Sequence, residues 1–199
     1  MRRAFVVLTL LLFTLTGLSA QSAPRRWGVD LLLSRDAFTG ASSDNAGSVE
    51  ISPNPRVAYE LGVSHAGSHW GLRLGLGVAS GGLRGKNGPV RLDDNSTSVD
   101  RYRAGLLLER VIARGDRLRL AAALGPTLDR WEAAGINDRT VLGARGGLHL
   151  GIVLGRLSVE EVALVGVSSS PFTEAAVAPT GKLRALWTWS IGAGVRVGL

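Results

Sequence analysis

The 199-residue chain lacks cysteine altogether, has a single methionine, and contains few aromatic residues, which make up 6% of it. The absence of cysteine excludes disulfides, thiolate chemistry and lipid attachment through a cysteine. No helix-period pattern of apolar residues follows residue 20. The three histidines are too few for a metal site unless His65 and His69 meet by chance across a tight turn, so no metal or cofactor is predicted.

Residues 1–20 have the composition of a secretory signal peptide. Arg2 and Arg3 give a charged start, residues 5–15 form an apolar run, and small residues precede a plausible cleavage point before Gln21. An uncleaved membrane anchor is the alternative, but the run is shorter than the roughly 20 residues that a spanning helix needs. We therefore expect export, cleavage, and one mature domain over residues 21–199.

The net charge is +7, and it falls to +5 once Arg2 and Arg3 are removed (7 − 2 = 5). A basic chain suggests nucleic acid as a partner. Here, however, the cations are almost all arginine and are scattered at every second position within apolar segments. They do not form the contiguous stripe that binding of a phosphate backbone requires, so no nucleic-acid partner is predicted.

The last fifteen residues, 185–199, alternate most regularly between apolar and small or polar side chains. A period of two sends alternate residues to opposite faces of a strand. The apolar set is Trp187, Trp189, Ile191, Ala193, Val195, Val197 and Leu199. A transmembrane strand needs about 9–11 tilted residues, and two tryptophans at one end suit a headgroup-level girdle. This segment is typical of an outer-membrane β-strand.

Seven further segments alternate in the same way, and long and short connections alternate between them. The eight predicted strands are 26–34, 56–64, 69–79, 99–111, 117–125, 142–154, 157–167 and 185–199. The connections are about 16–21 residues or about 2–5 residues long, as in outer-membrane barrels. The fold class is therefore predicted as all-β: a closed eight-stranded antiparallel up-and-down transmembrane barrel with long extracellular loops and short periplasmic turns.

This topology sorts the aromatic residues into two belts. Trp27 and Trp70 begin upward strands and are expected at the periplasmic interface. Tyr59, Tyr102, Trp187 and Trp189 come early in downward strands and are expected at the outer interface. Aromatic residues packed in the core of a soluble protein would show no such sorting.

Eight strands enclose an interior that side chains can fill, so an ion-paired network is expected inside. The predicted network comprises Asp30, Arg56, Glu60, Arg73, Arg103, Glu109, Arg119, Arg145, His149 and Arg196, with Arg101 and Arg117 on the same face. Asp30 is the expected partner of Arg196. The register of the strand 157–167 around Glu160 and Glu161 stays open, since a bulge there could redirect these side chains.

With its signal peptide, strand number and loop alternation, the chain resembles the small eight-stranded outer-membrane barrels, such as the membrane domain of OmpA, OmpX and the opacity-type proteins. The resemblance covers roughly residues 24–199 and shows no subfamily signature. It implies a C-terminal assembly signal at Trp189, Val195, Val197 and Leu199, read by the barrel-assembly machinery. Leu199 departs from the pattern, which expects an aromatic residue. Outer-membrane lipid and lipopolysaccharide are the other implied partners of a monomer.

Four functions remain open at this stage. The first is a non-catalytic barrel with a structural or surface-interaction role, with any recognition in its loops. A lipid A enzyme would need an activated His/Ser pair, for which His65, Ser68 and His69 are the candidates. A narrow channel and a secreted soluble barrel that binds an apolar ligand are the others. Asp93, Asp94 and Asp100 could hold a cation or could simply be solvated.

Overall fold

The computed structural model describes residues 27–43, 49–87, 89–133, 136–172 and 182–199. The predicted signal peptide lies outside these residues. The strands are β1 (Trp27–Ser43), β2 (Val49–Pro53), β3 (Arg56–Ala66), β4 (Trp70–Asn87), β5 (Val90–Arg114), β6 (Leu118–Ala133), β7 (Ile136–Leu154), β8 (Leu157–Ser168) and β9 (Lys182–Gly198). No helix in the described part of the chain is long and apolar enough to span a membrane.

Eight long antiparallel strands close into a barrel, as predicted. Each pairs with the next along the chain, and β9 pairs with β1 to complete the circuit. The short strand β2 is an addition to this circuit, because it pairs only with the ends of β1 and β4. We call the end where β1 begins and β9 finishes the lower end, and the opposite end the upper end.

The strands continue further at the upper end than alternation predicts. Residues 80–98 and 126–141 are expected to be loops, yet β4 and β5 extend to Asn87 and from Val90, and β6 and β7 extend to Ala133 and from Ile136. The expectation was wrong because it required an apolar outward face throughout. In the upper extensions the polarity of the two strand faces is reversed, so that apolar side chains point inward and charged ones outward.

Side-chain burial follows this exchange. Along most of each long strand, the outward residues are exposed and apolar, while the inward ones are buried and mainly polar or glycine. Near the upper end, the interior becomes an apolar cluster of Phe38, Ala41, Val99, Trp131, Val141, Phe172 and Leu186. The molecule therefore has a polar core below and an apolar core above.

The alternation of β8 is unbroken through its two adjacent glutamates. Glu160 pairs with Gly151 and Gly194, and Glu161 pairs with Leu150 and Ala193, with no register shift. Glu160 consequently points inward and is 4% exposed, whereas Glu161 shares the outward face with Val159. The structure therefore keeps an unbroken period of two through β8, without the bulge that would have redirected Glu161.

Strand β6 passes through Gly125 and Pro126 without ending. Its pairing with β5 skips from Gly105 and Thr127 to Leu108 and Leu124, which matches the missing N–H of proline. The two backbones approach closely at this gap, and only a residue without a Cβ fits there, since a Cβ on Gly125 would lie 1.8 Å from the carbonyl oxygen of Leu106. A glycine followed by a proline is therefore compatible with a continuous strand here.

Candidate functional site

The barrel interior holds similar numbers of acidic and basic side chains. The buried carboxylates are Asp30, Asp36, Glu60, Glu109, Asp129 and Glu160, and the buried arginines are Arg56, Arg73, Arg101, Arg103, Arg119 and Arg145. Arg196 joins them from the lower end, with 12% of its side chain exposed. Buried charges persist when they are paired and hydrogen-bonded, and six carboxylates facing seven arginines can satisfy one another.

The lower part of the interior is organised around Arg73. Its Nη2 lies 2.5 Å from Oε2 of Glu160, and its Nε lies 3.0 Å from Oε1 of Glu109. Arg119 donates to the other oxygen of Glu109 at 2.8 Å. Arg196 lies 2.5 Å from Asp30, the partner expected from the sequence, and 3.1 Å from Glu160. The group connects strands on opposite sides of the barrel.

His149 lies within this lower group and is 2% exposed. Its Nδ1 is 3.6 Å from Glu109 and 3.9 Å from Glu160. Within the described residues, no serine hydroxyl is hydrogen-bonded to it. His65 packs edge-on against Trp27 at the lower end, with ring centroids 4.8 Å apart. The contacts of these two histidines are therefore an aromatic ring for His65 and buried carboxylates for His149.

Above the lower group, Glu60 and Arg145 form a two-point ion pair. Nη1 and Nη2 of Arg145 donate to the two carboxylate oxygens of Glu60 at 2.9 and 3.0 Å. This geometry is the strong bidentate form of an arginine–carboxylate contact. Because Glu60 belongs to β3 and Arg145 to β7, the pair crosses the barrel lumen.

A third layer of charge follows. Asp129 accepts hydrogen bonds from Arg101 and from Arg103, at 2.8 and 2.9 Å. Asp36 accepts from Arg101 at 3.0 Å and from the hydroxyl of Ser190 at 2.7 Å. A cavity lined in part by Asp36, Glu60, Arg101 and Arg103 is only about 10 Å³, which is near the minimum that holds one water.

An aromatic layer covers this charge at the upper end. Phe38 and Trp131 meet edge to face with centroids 5.8 Å apart. The guanidinium groups of Arg56 and Arg101 each lie 5.0–5.6 Å from both rings, within the range of cation–π attraction. Arg56 also donates to the carbonyl oxygens of Asn54, Val99 and Gly82. This layer joins the polar core to the apolar core above it.

All ten side chains of the predicted interior network lie inside the barrel, but three of the carboxylates that pair with them were not in that prediction. Asp36 and Asp129 lie beyond the predicted ends of their strands, and the direction of Glu160 was left open. Continuing the alternation past Pro126 would have placed Thr127, Asp129 and Trp131 on the inward face. This alternation is present in the sequence, but Pro126 and the change from a polar to an apolar inward face made the segment resemble a loop.

The six aromatic residues of the predicted belts are all exposed on the outward face. Trp27 and Trp70 lie at the lower end, and the guanidinium of Arg110 stacks over the Trp70 ring at 4.7 Å. Tyr59 and Tyr102 flank Val78 across the sheet, nearer the upper end. Trp187 and Trp189 lie near the upper end of the exposed apolar face of β9, which continues through Val195 and Val197 to Leu199.

Polar residues of the β4–β5 hairpin have local partners. Arg84 donates to both oxygens of Asp93, at 2.6 and 2.8 Å, and this hydrogen bond lowers the pKa of Asp93. Asp94 accepts bonds from the hydroxyl and backbone N–H of Ser96 and from the hydroxyl of Thr97, which lower the pKa of Asp94. No group of three potential metal ligands occurs among the described residues.

Comparison with solved structures shows the fold of small outer-membrane barrels. Neisserial surface protein A superposes with a TM-score of 0.57 at 13% identity, over 87% of this chain and 97% of that one. OprG from Pseudomonas aeruginosa gives 0.53 at 12%, over 88% and 97%. AlkL, solved in lipid bilayers, gives 0.50 at 15%, over 92% and 96%. No protein-family model matches the sequence, and no curated protein does either.

Proposed function

We propose that this chain is an outer-membrane β-barrel with a structural or surface-interaction role, closed to ions and without catalytic activity. One observation carries the proposal. The outward face is a continuous apolar band between two sets of exposed aromatic residues, while the interior is filled by paired charges. A water-soluble barrel has the opposite arrangement, and a membrane barrel has this one.

The comparisons support this location. Neisserial surface protein A and OprG are named as a surface protein and an outer-membrane protein, and both share the fold. Under this proposal, residues 1–20 are a cleaved signal peptide and β9 provides the assembly signal for the barrel-assembly machinery. The upper end then faces the cell exterior, and the apolar band contacts outer-membrane lipid and lipopolysaccharide. The protein is a monomer within its own membrane.

The upper extensions are the part available for recognition. They hold exposed charges outside and an apolar core within, which is the polarity of a structure surrounded by water. In this proposal the ion-paired layers beneath them close the lumen, so the surface role rests on the hairpins. Neither ring nitrogen of His149 has a hydrogen-bond partner among the described residues, so this proposal assigns it no hydroxyl to activate.

Fractionation combined with gel mobility tests the proposal. The full chain, expressed in a bacterium with an outer membrane, is expected in the outer-membrane fraction, shortened by the signal peptide. It should migrate differently before and after boiling, because the folded barrel resists detergent until it is heated. Recovery as a soluble periplasmic protein with a single mobility would overturn the proposal, and altered lipid A in expressing cells would overturn the absence of catalysis.

A further inference from the structure

The upper part of β5 has one edge that is unpaired within the described part of the chain. Among the described strands, residues 90–94 pair with β4 alone, because pairing of β5 with β6 begins only at Val99 and Ala133. The ladder with β4 jumps from Leu83–Asp94 to Gly81–Val99, which separates this segment from the barrel wall. No strand in the described residues covers the other side of this segment, which we call the β5 edge.

The β5 edge carries exposed apolar side chains well above the apolar band. Leu92 is 73% exposed and Val90 is 66% exposed. The tip of the hairpin lies nine residues beyond Val78 (87 − 78 = 9), which is level with Tyr59 and Tyr102. That is about 30 Å along the strand at a rise of about 3.3 Å per residue. Lipid therefore does not cover these side chains, and unpaired edge groups are a template for another strand.

The two charged residues of the β5 edge, Arg91 and Asp93, have different neighbours on β4. Asp93 lies opposite Arg84 and pairs with it, whereas Arg91 lies opposite Lys86. Like charges directly opposite each other on neighbouring strands are destabilising. A partner strand that brings a carboxylate beside Arg91 would offset this repulsion.

We propose that the β5 edge binds the same edge of a second copy of this chain, antiparallel and centred on Leu92. This rests on the proposed function, which places the hairpin outside the cell. In this register, Leu92 faces Leu92 of the second copy, and Arg91 faces Asp93 of the second copy on both sides of the centre. Registers centred on Arg91 or on Asp93 bring identical charges face to face, so the charge pattern selects Leu92.

The antiparallel arrangement has a consequence for the kind of contact. The segment stays antiparallel to the end of β4, so reversing its direction points the second barrel the opposite way. Two such copies meet hairpin to hairpin from facing membranes, and the contact joins neighbouring cells. It does not require association within one membrane, which leaves each barrel monomeric there.

Single cysteines test the register, because the chain has none of its own. The full-length L92C protein, reconstituted in phosphatidylcholine vesicles and oxidised, is expected to form a disulfide-linked dimer and to cluster the vesicles. The matched control is K86C, an exposed position of the same hairpin on the inner strand β4. We expect roughly tenfold more dimer for L92C than for K86C, since pairing raises the local thiol concentration.

Exchange of charges tests the recognition. In the L92C background, R91D and D93R should each lower cross-linking about tenfold, because both opposed pairs become repulsive. An equal mixture of the two variants should restore it, since each negative pair then meets a positive pair. Damage to the hairpin, where D93R removes the partner of Arg84, would not be repaired by mixing.

The outcomes separate this proposal from the preceding one. Each variant is first assayed for heat-modifiable mobility, which reports the folded barrel independently of pairing. A folded L92C that cross-links no more than K86C overturns the pairing and leaves the barrel assignment standing. The pairing is also overturned if the single charge variants cross-link as well as L92C does, or if mixing them fails to restore cross-linking.

Discussion

Two adjacent glutamates show how position alone decides the role of a side chain. Glu160 lies among Arg73, Arg196 and His149 inside the barrel, and its negative charge is matched there. Glu161 follows it directly but lies on the outward face, opposite Leu150 and Ala193. In the proposed location this face meets lipid, where a carboxylate is unfavourable. The same residue type is thus stabilising at one position and costly at the next.

This difference predicts opposite effects of one substitution. E160Q should lower the free energy of unfolding by about 3 kcal/mol, because it leaves buried arginines without their counter-charge. E161Q should leave it unchanged or raise it by up to about 1 kcal/mol, since an outward charge is removed from the apolar band. Urea unfolding of protein folded in lipid vesicles, followed by tryptophan fluorescence, measures both. Equal losses for the two variants would show that Glu161 has a partner and is not free on the outer face.

At the scale of elements, the backbones of β5 and β6 approach each other closely at Gly125. The segment at Gly125 and Pro126 interrupts the ladder between the two strands, yet β6 continues to Ala133 and delivers Asp129 and Trp131 to the interior. Both the charge layer and the aromatic layer therefore depend on the path of this strand.

Substitution of Gly125 is expected to disturb that path. In G125A, the new Cβ would lie 1.8 Å from the carbonyl oxygen of Leu106, so the strands must separate, with a loss of about 1–3 kcal/mol of stability. The control is G115A in the turn between the same strands, where a Cβ would meet nothing within 4 Å. Comparison of their unfolding free energies checks this, and an unchanged G125A would mean that the strands are further apart than the structure places them.

The same elements show how far the sequence predicts the fold. The eight strands, their order and the closure of β9 on β1 follow from alternation, because one face is apolar along most of each strand. The upper extensions could not be found by that rule, since their apolar side chains face inward. Asp36, which lies beyond the predicted end of its strand, was lost with them, and its contacts with Arg101 and Ser190 depend on strands distant in sequence.

At the scale of the whole molecule, the exchange of polarity marks where the proposed membrane ends. Leu74 lies on the outward face of β4 well inside the apolar band, and Ser80 lies on the same face just beyond Val78. The two positions differ in depth but share the strand and the facing. They form a matched pair for testing the boundary.

Arginine at these two positions should have different effects. L74R is expected to cost about 2–4 kcal/mol and to reduce assembly, because a charge near the middle of the bilayer is poorly solvated. S80R should assemble normally, since its guanidinium reaches water. The yield of heat-modifiable protein in the outer membrane measures both. Normal assembly of L74R would show that this face does not contact lipid, and failure of S80R would place the boundary higher.

Ion conductance through the lumen depends on every layer of the barrel interior. Three charge layers and one aromatic layer follow one another along the lumen, and in the proposed function they close it in series. In planar bilayers we therefore expect no stable single-channel steps from the wild-type protein. W131A should also stay closed, because the Glu60–Arg145 pair and the group around Arg73 lie beneath the layer that it removes. Steady steps from the wild type would show an open path past these layers, and steps from W131A alone would make the aromatic layer the sole barrier.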